Sequence, residues 1–323
     1  MKAALLTHYG QPPRRSDAPD PEVAEGQVLV EVEAAPISPL DVFLASGSSY
    51  FGAPPLPYVP GVQGVGLVRG GSGLGRRVWF QTGAGIRPGE NGAMAELVAV
   101  PPEGLVEVPE AVGSAAAAAL GLSAVAAWEA LSGRARLQPG ERVLVLGASG
   151  AVGQVALQAA RILGAGYVAG TARSPEGREA VMSRGADAAV DPTGEDVGEL
   201  AGRFEAACGG PVDVVIDPIF GLAASAALRA LGPGGRLVQL GSAAAETATF
   251  DSATIRGRSL SILGYTNASL GAAETSAALG TVLGHAAAGR IGLAFDTAPL
   301  AEVEQAWRRQ QEGKATSRVV LVP

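Results

Sequence analysis

The stretch VLVLGASGAVGQVALQAARILGAGYVAGTARS, residues 143–174, constrains the fold more than any other part of the chain. It opens with an apolar run and passes through Gly147, Gly150 and Gly153. It then enters a segment whose Val152, Val155, Ala156, Ala159, Ile162 and Leu163 fall on one helical face. A second apolar run, GYVAGT, follows. Strand, tight turn, helix and strand is the reading that fits each piece. The cycle continues through EGREAVMSRG (helix), DAAVD (strand), VGELAGRFEAACG (helix), VDVVIDP (strand), LAASAALRALG (helix), GRLVQLG (strand) and RSLSILG (strand). Six strands, each apolar along most of its length and separated by helices, predict a doubly wound parallel sheet covered on both faces.

The glycine turn has a chemistry of its own. One glycine permits the tight turn, one lets backbone approach a pyrophosphate, and one lets the helix pack on the strand. The helix N-terminus adds free N–H groups and a partial positive charge. Gly147, Ser149, Gly150, Ala151, Val152 and Gly153 are therefore the candidates to hold a dinucleotide. The spacing is G-x-x-G-x-x-G rather than G-x-G-x-x-G, so the alternating strands around it carry much of the inference. An NAD site places an acid at the end of the second strand, to accept from the ribose hydroxyls. Here that strand ends on Thr171, Ala172, Arg173 and Ser174, with Arg178 one helical turn on. Arginine forks and a serine hydroxyl suit a 2′-phosphate, which indicates NADPH (NADP+). The alternative for Arg173 and Arg178 is that they are ordinary surface cations.

Other chemistries are excluded by scarcity. The chain has two histidines (His8, His285), one cysteine (Cys208) and two lysines (Lys2, Lys314). A zinc site draws three or four ligands mostly from Cys and His, so no metal site is expected. The one Gly-Lys pair is Gly313-Lys314, followed by alanine, which is no P-loop, and GASGA is no nucleophile elbow because its last position is Ala151. A net charge of −7 without a basic run speaks against a nucleic-acid surface. No run of about 18 uninterrupted apolar residues is present, so no membrane span is expected. The start, MKAALLTHYGQPP, is not a secretory signal, and a single cysteine allows no internal disulfide. A soluble, cytoplasmic protein is the expectation.

Before residue 117 the pattern differs. GQVLVEVEAAP alternates in period two, and GVGLVR, RRVWFQT and AELVAVP are short apolar segments parted by Gly and Pro clusters, as in a β-rich, partly open domain. The alanine-rich SAAAAALGLSAVAAWEAL marks the change of pattern. The closing helix and strand, PLAEVEQAWRR and SRVVLVP, are expected to rejoin the first domain. The organisation read from this is one domain of residues 1–116 and 290–323, with a dinucleotide domain of residues 117–289 inserted in it.

Seven segments in order, SPLDVFLASGSSY, LPYVPGVQGVGLV, GAMAELVAVP, LQPGERVLVLGASGAVG, VDVVIDP, LGPGGRLVQLG and the C-terminal PLAEVEQAWRRQQEGKATSRVVLVP, resemble the medium-chain dehydrogenase/reductase superfamily. The resemblance is to its zinc-free quinone oxidoreductase (zeta-crystallin-like) branch and runs over almost the full chain. It implies a groES-like β-rich catalytic domain plus a Rossmann domain binding NADPH, a homodimer, and hydride transfer to a quinone or to the β-carbon of an enone or enal. Zinc-dependent relatives carry Gly-His-Glu where this chain has Gly61-Val62-Gln63, and Ser38-Pro39-Leu40-Asp41 replaces their cysteine segment.

Tyr50 matches the branch's tyrosine and is the candidate hydrogen-bond donor to a reduced carbonyl oxygen, with packing as the alternative. Ser38 stands where the branch has Asn and is the candidate partner of the nicotinamide carboxamide, with turn capping as the alternative. Asp41 reads as a loop-holding residue. Gly241, Tyr265 and Arg318 join the cofactor candidates, with Asn267 weaker. Departures at Ser38, Ala45, Gln63, Ala126 and Pro192 make the substrate end more apolar than is usual in the branch. Two other readings stay open: an NADPH-binding sensor or structural protein with little turnover, and a dedicated biosynthetic enoyl reductase.

Overall fold

A computed structural model of the protein describes residues 1–49, 51–70, 73–313 and 317–323. The chain divides into two compact units, Met1–Leu122 with Gly271–Pro323, and Ser123–Leu270.

In the first unit the chain forms β1 (Lys2–Leu5), β2 (Arg14–Asp17), β3 (Val28–Pro36), α1 (Pro39–Ala45), β4 (Gln63–Gly70), β5 (Arg77–Gln81), β6 (Leu97–Val100) and β7 (Val106–Glu107). Helix α2 (Ser114–Glu129) leads into the second unit, which holds β8 (Arg142–Val145), α3 (Ala151–Ile162), β9 (Tyr167–Thr171), α4 (Pro175–Ser183), β10 (Ala188–Val190) and α5 (Val197–Ala207). It continues with β11 (Val212–Asp217), α6 (Leu222–Ala230), β12 (Leu231–Gln239), α7 (Ser252–Arg258) and β13 (Ser261–Gly264). The first unit resumes with α8 (Ala272–Ala287), β14 (Phe295–Pro299), α9 (Val303–Gln311) and β15 (Arg318–Val322).

The second unit is the doubly wound sheet that the apolar strands predict. Its six strands run in the order β10-β9-β8-β11-β12-β13, and the pairings are parallel throughout. The strand order reverses between β8 and β11, which places the crevice of such a sheet outside the carboxyl ends of these two strands. The strands are buried because helices cover them. Leu144, Leu146, Val215 and Leu237 pack with Leu200 and Phe204 of α5 and Ala224 and Leu228 of α6 in one core cluster. Polar N-caps start the helices between strands: Ser174 accepts from Gly177 N–H, Asp196 from Glu199 N–H and Asp251 from Thr254 N–H.

The first unit is β-rich. Among the described residues a seven-stranded sheet has the order β14-β15-β3-β4-β5-β7, with β6 also on β3, while β1 and β2 pair separately. Strand β15 lies parallel to β14 and antiparallel to β3, so the closing strand does enter the first unit's sheet. Val28, Val30 and Val32 of β3 point into a core shared with Phe80, Met94, Trp307 and Leu321, as their period-two spacing requires.

The division between units differs from the sequence reading at both junctions, falling after Leu122 and Leu270 rather than at 116 and 289. The reason for the second is tertiary: α8 packs on β7 of the first unit. Among the described residues one helical stretch, Ser114–Arg134, is apolar enough by length and composition to cross a membrane, but 61% of that window is buried inside the protein. It is also broken at Gly121, whose φ of 30° and ψ of −132° leave the helix.

Candidate functional site

The glycine turn in the second unit is built from its neighbours. Gly147 has φ +57°, in the left-handed region. Its N–H donates to Thr171 Oγ1 (2.9 Å), and the N–H of Ala148 donates to the Thr171 carbonyl (2.8 Å). Thr171 is fully buried, so it acts here as the peg that fastens the turn to β9. A β-carbon on Gly153 would lie 2.5 Å from Gly147 O and from Ala148 Cα, so only glycine lets α3 sit this close. Gly150, by contrast, faces open space, where a β-carbon would meet only Gly147 O at 3.3 Å. It is the N-cap of α3 and supplies no side-chain acceptor to the helix. Ser149 and Gly150 are exposed, and the N–H groups of Ala151, Val152 and Gly153 are the first-turn donors that the helix itself cannot satisfy. This cradle of bare backbone at a helix N-terminus fits a pyrophosphate.

At the end of β9, Arg173 and Ser174 are exposed. Ser174 accepts from Gly177 N–H (3.0 Å) as the cap of α4, which leaves its own O–H available to donate. Arg178 is engaged locally. Its Nη1 donates to the carbonyls of Ala172 (3.2 Å) and Arg173 (2.8 Å) and lies 3.4 Å from Asp191 Oδ2. The Asp191 carboxyl is held below the usual carboxylate range by the Thr193 backbone N–H, aided by the Thr193 side chain, Arg178 and Arg203. The two arginines read from sequence as a pair therefore differ in placement: Arg173 is exposed, and Arg178 braces the backbone that carries it.

Opposite the glycine turn lies a residue that the sequence reading passed over. Asp217 ends β11 fully buried. Its Oδ1 accepts the N–H groups of Ile219 (3.1 Å) and Phe220 (2.8 Å). Burial pushes its carboxyl up to about 6. The available signal was an acid closing the apolar run Val214–Ile216 at the end of the strand, just before proline. Gly241 packs against the same turn, since a β-carbon there would lie 2.7 Å from Pro218 O. Tyr265 follows β13 and is half-buried. Its N–H donates to Gln239 O (2.9 Å) and its hydroxyl to Asn267 Oδ1 (2.8 Å), and burial raises its phenol above the usual range.

In the first unit, Ser38 caps α1. Its hydroxyl donates to Asp41 Oδ2 (2.5 Å), and its oxygen accepts Asp41 N–H (3.2 Å). Asp41 also accepts the N–H groups of Ser38 (2.8 Å) and Val62 (2.9 Å). Burial raises its carboxyl above the usual range against those bonds and the nearby Arg318. Arg318, at the start of β15, is 8% exposed and donates to the Ile37 carbonyl (2.9 Å). Burial lowers it to about 10, with Asp41 opposing. Ser38, Asp41 and Arg318 thus form one buried cluster. Tyr50 lies outside the described residues.

Gln63 also has a placement that the sequence did not reveal. Its Oε1 accepts the Trp79 indole N–H (3.0 Å) and the Leu122 N–H (2.8 Å), filling the break in α2. Among the described residues no three His, Cys, Asp or Glu side chains converge. Cys208 is buried, and burial pushes its thiol up to about 12.

Comparison with known proteins accords with this architecture. The alcohol dehydrogenase GroES-like domain family matches residues 24–110, and the zinc-binding dehydrogenase family matches residues 151–283. The chain is 32% identical to the quinone oxidoreductase of Lama guanicoe over 75% of this chain and 73% of that protein. It is 34% identical to the chloroplastic NADPH-dependent alkenal/one oxidoreductase of Arabidopsis thaliana, over 74% of this chain and 62% of that longer protein. The quinone oxidoreductase of Thermus thermophilus, solved alone and with NADPH, superposes over the whole of both chains with a TM-score of 0.84 at 32% identity. The chain belongs to the medium-chain dehydrogenase/reductase superfamily, in its quinone oxidoreductase-like branch.

Proposed function

We propose that the protein is an NADPH-dependent reductase that transfers hydride to a quinone or an α,β-unsaturated carbonyl without zinc. The observation that carries the reading is the strand–glycine–helix cradle at Gly147–Gly153 beside exposed Arg173 and Ser174, with no acid at the end of β9. The backbone N–H groups of α3 would hold the pyrophosphate, and Arg173 with the Ser174 hydroxyl would take the 2′-phosphate. Arg178 supports Arg173 through its carbonyl. When bound, NADPH supplies the hydride, and the protein supplies binding, orientation and polarisation. Tyr50 remains the proposed donor to the acceptor oxygen. The same reading makes the protein a cytoplasmic homodimer.

Ser38 bears on a second reading. Its O–H is directed at Asp41, so Ser38 meets a carboxamide as an acceptor. That leaves the substrate end poor in proton donors and favours an apolar acceptor, or an NADPH-binding protein of little turnover. Loss of absorbance of the reduced cofactor, followed with an ortho-quinone and a 2-alkenone in parallel and with NADH as control, tests both readings. Turnover selective for NADPH is the expected result. Equal use of NADH, or absence of NADPH binding, would sink the NADPH assignment.

A further inference from the structure

Asp217 occupies the carboxyl end of β11, at the point where the strand order reverses beside β8. The residues after it make a turn that backbone preference alone does not select. Phe220 has φ +62° and Gly221 φ +73°, and a bulky residue enters the left-handed region only when its surroundings force it. The force here is identifiable: one buried carboxyl oxygen receives the N–H groups of Ile219 and Phe220 together. Further backbone bonds fasten the turn to the segment after β12, from Leu240 N–H to Asp217 O (3.0 Å) and from Ala244 N–H to Ile219 O (2.8 Å).

What this turn touches gives it meaning. Ile219 Cγ2 lies 2.7 Å from where a β-carbon on Gly147 would sit, and Pro218 O lies 2.7 Å from the same position on Gly241. One side chain thus fixes the segment that lies against both glycines, one from each flank of the switch point. We propose that Asp217 is a positioning residue of the dinucleotide site, holding Ile219 against Gly147 and Pro218 against Gly241 as a wall for the pyrophosphate and nicotinamide half of the cofactor. This rests on the NADPH reading above. The second carboxyl oxygen, Oδ2, is buried without a hydrogen-bond partner among the described residues, a setting that favours the protonated acid. Asparagine, which keeps one acceptor oxygen and the same shape, is then the conservative replacement, whereas alanine removes the acceptor.

Calorimetric titration with two ligands separates positioning from general weakening. Adenosine 2′-monophosphate has the phosphorylated ribose but no 5′-phosphate and no nicotinamide, so it reports on the Arg173 end alone. For Asp217→Ala, the Kd for NADPH should rise about tenfold or more, the scale of loss that small misplacements bring. The Kd for adenosine 2′-monophosphate should stay within about twofold, as expected of an independent site. Asp217→Asn should hold both within about threefold, since it keeps the acceptor that makes the bonds. An unchanged NADPH Kd in Asp217→Ala, or equal weakening of both ligands, overturns the proposal. Failure of the wild-type protein to bind NADPH overturns the dinucleotide reading and this proposal together, and is told apart by needing no variant. Should the alanine variant not fold, hydrogen exchange on the wild-type protein decides: the Ile219 and Phe220 amides should be protected, and exchange at open-loop rates refutes the role.

Discussion

A β-carbon on Gly153 would lie 2.5 Å from the carbonyl oxygen of Gly147. The obstacle is backbone on the far side of the same turn, so no rotamer change relieves it. Gly153→Ala should therefore push α3 away from the turn, costing about 1–3 kcal/mol of stability as overpacking does. It should also weaken NADPH binding. Urea unfolding and a binding titration on the same variant check the two effects.

Arg173 and Arg178 should separate on mutation. Arg173→Ala removes an exposed cation and, on the proposed NADPH reading, the charge-assisted bond it would make to the 2′-phosphate, worth about 1.5–3 kcal/mol. The ratio of NADPH to NADH affinity should fall by roughly tenfold to a hundredfold on that scale. Arg178→Ala should change the ratio less and lower the melting temperature more, because its guanidinium serves two carbonyls and Asp191. Titrations of each variant with both cofactors, beside thermal melts, give the comparison. The assignment fails if Arg178→Ala proves the more damaging to selectivity.

Asp217 gives the protein a pH dependence of definite sign. Burial raises its carboxyl from 3.8 in the unfolded chain to about 6 in the folded protein. Below both values the carboxyl is protonated folded or unfolded. As pH rises from about 4 to about 6, the unfolded chain releases its proton first, so stability falls across that window and levels off above it. The drop that this one group contributes is at most about 3 kcal/mol, at about 1.36 kcal/mol for each pH unit between the two values. Asp217→Asn removes it, so the stability difference between wild type and variant should move in the variant's favour between about pH 4 and pH 6 and then stay flat. Urea midpoints at several pH values read this directly.

Gln63 supplies the acceptor for two N–H groups at the break in α2. Gln63→Met keeps the length and removes the acceptor that the Trp79 indole and the Leu122 amide share. The buried Trp79 indole alone should cost about 1–3 kcal/mol, and the part-buried Leu122 amide should add less. Equilibrium unfolding measures it, and a change below about 1 kcal/mol would show that water or a rearranged helix satisfies both donors.

Helix α7 (Ser252–Arg258), capped by Asp251 between β12 and β13, was not read from the sequence. Most other elements of the second unit were legible because its strands are largely apolar and helices such as α4 and α5 announce themselves with a polar cap, at Ser174 and Asp196. The glycine cradle was legible for the same local reason. What the sequence hid were the partners of side chains. Arg178 reads as a free cation until folding brings the Ala172 and Arg173 carbonyls under it. Gln63 reads as a lost acid until the α2 break appears beside it. Asp217 reads as a strand end until its carboxyl is seen to hold the following turn. Helix α8 misleads for another reason: its alanine-rich face is like the helices of the parallel sheet, and only its packing on β7 assigns it to the first unit.

Strand β15 lies between β14 and β3, and Arg318 at its start meets the Asp41 region near α1. During synthesis, Ala35 and Pro36 of β3 emerge early and then wait for Val320 and Leu321, while the whole of Ser123–Leu270 is translated between them. The inserted unit has all its strands in one continuous stretch and can finish first. The enclosing unit must hold an open sheet edge, with Asp41 lacking its neighbouring cation, until the last strand is made. The vulnerable species on the ribosome is therefore the older part of the chain, and loss of β15 should strand that part while sparing the Ser123–Leu270 unit.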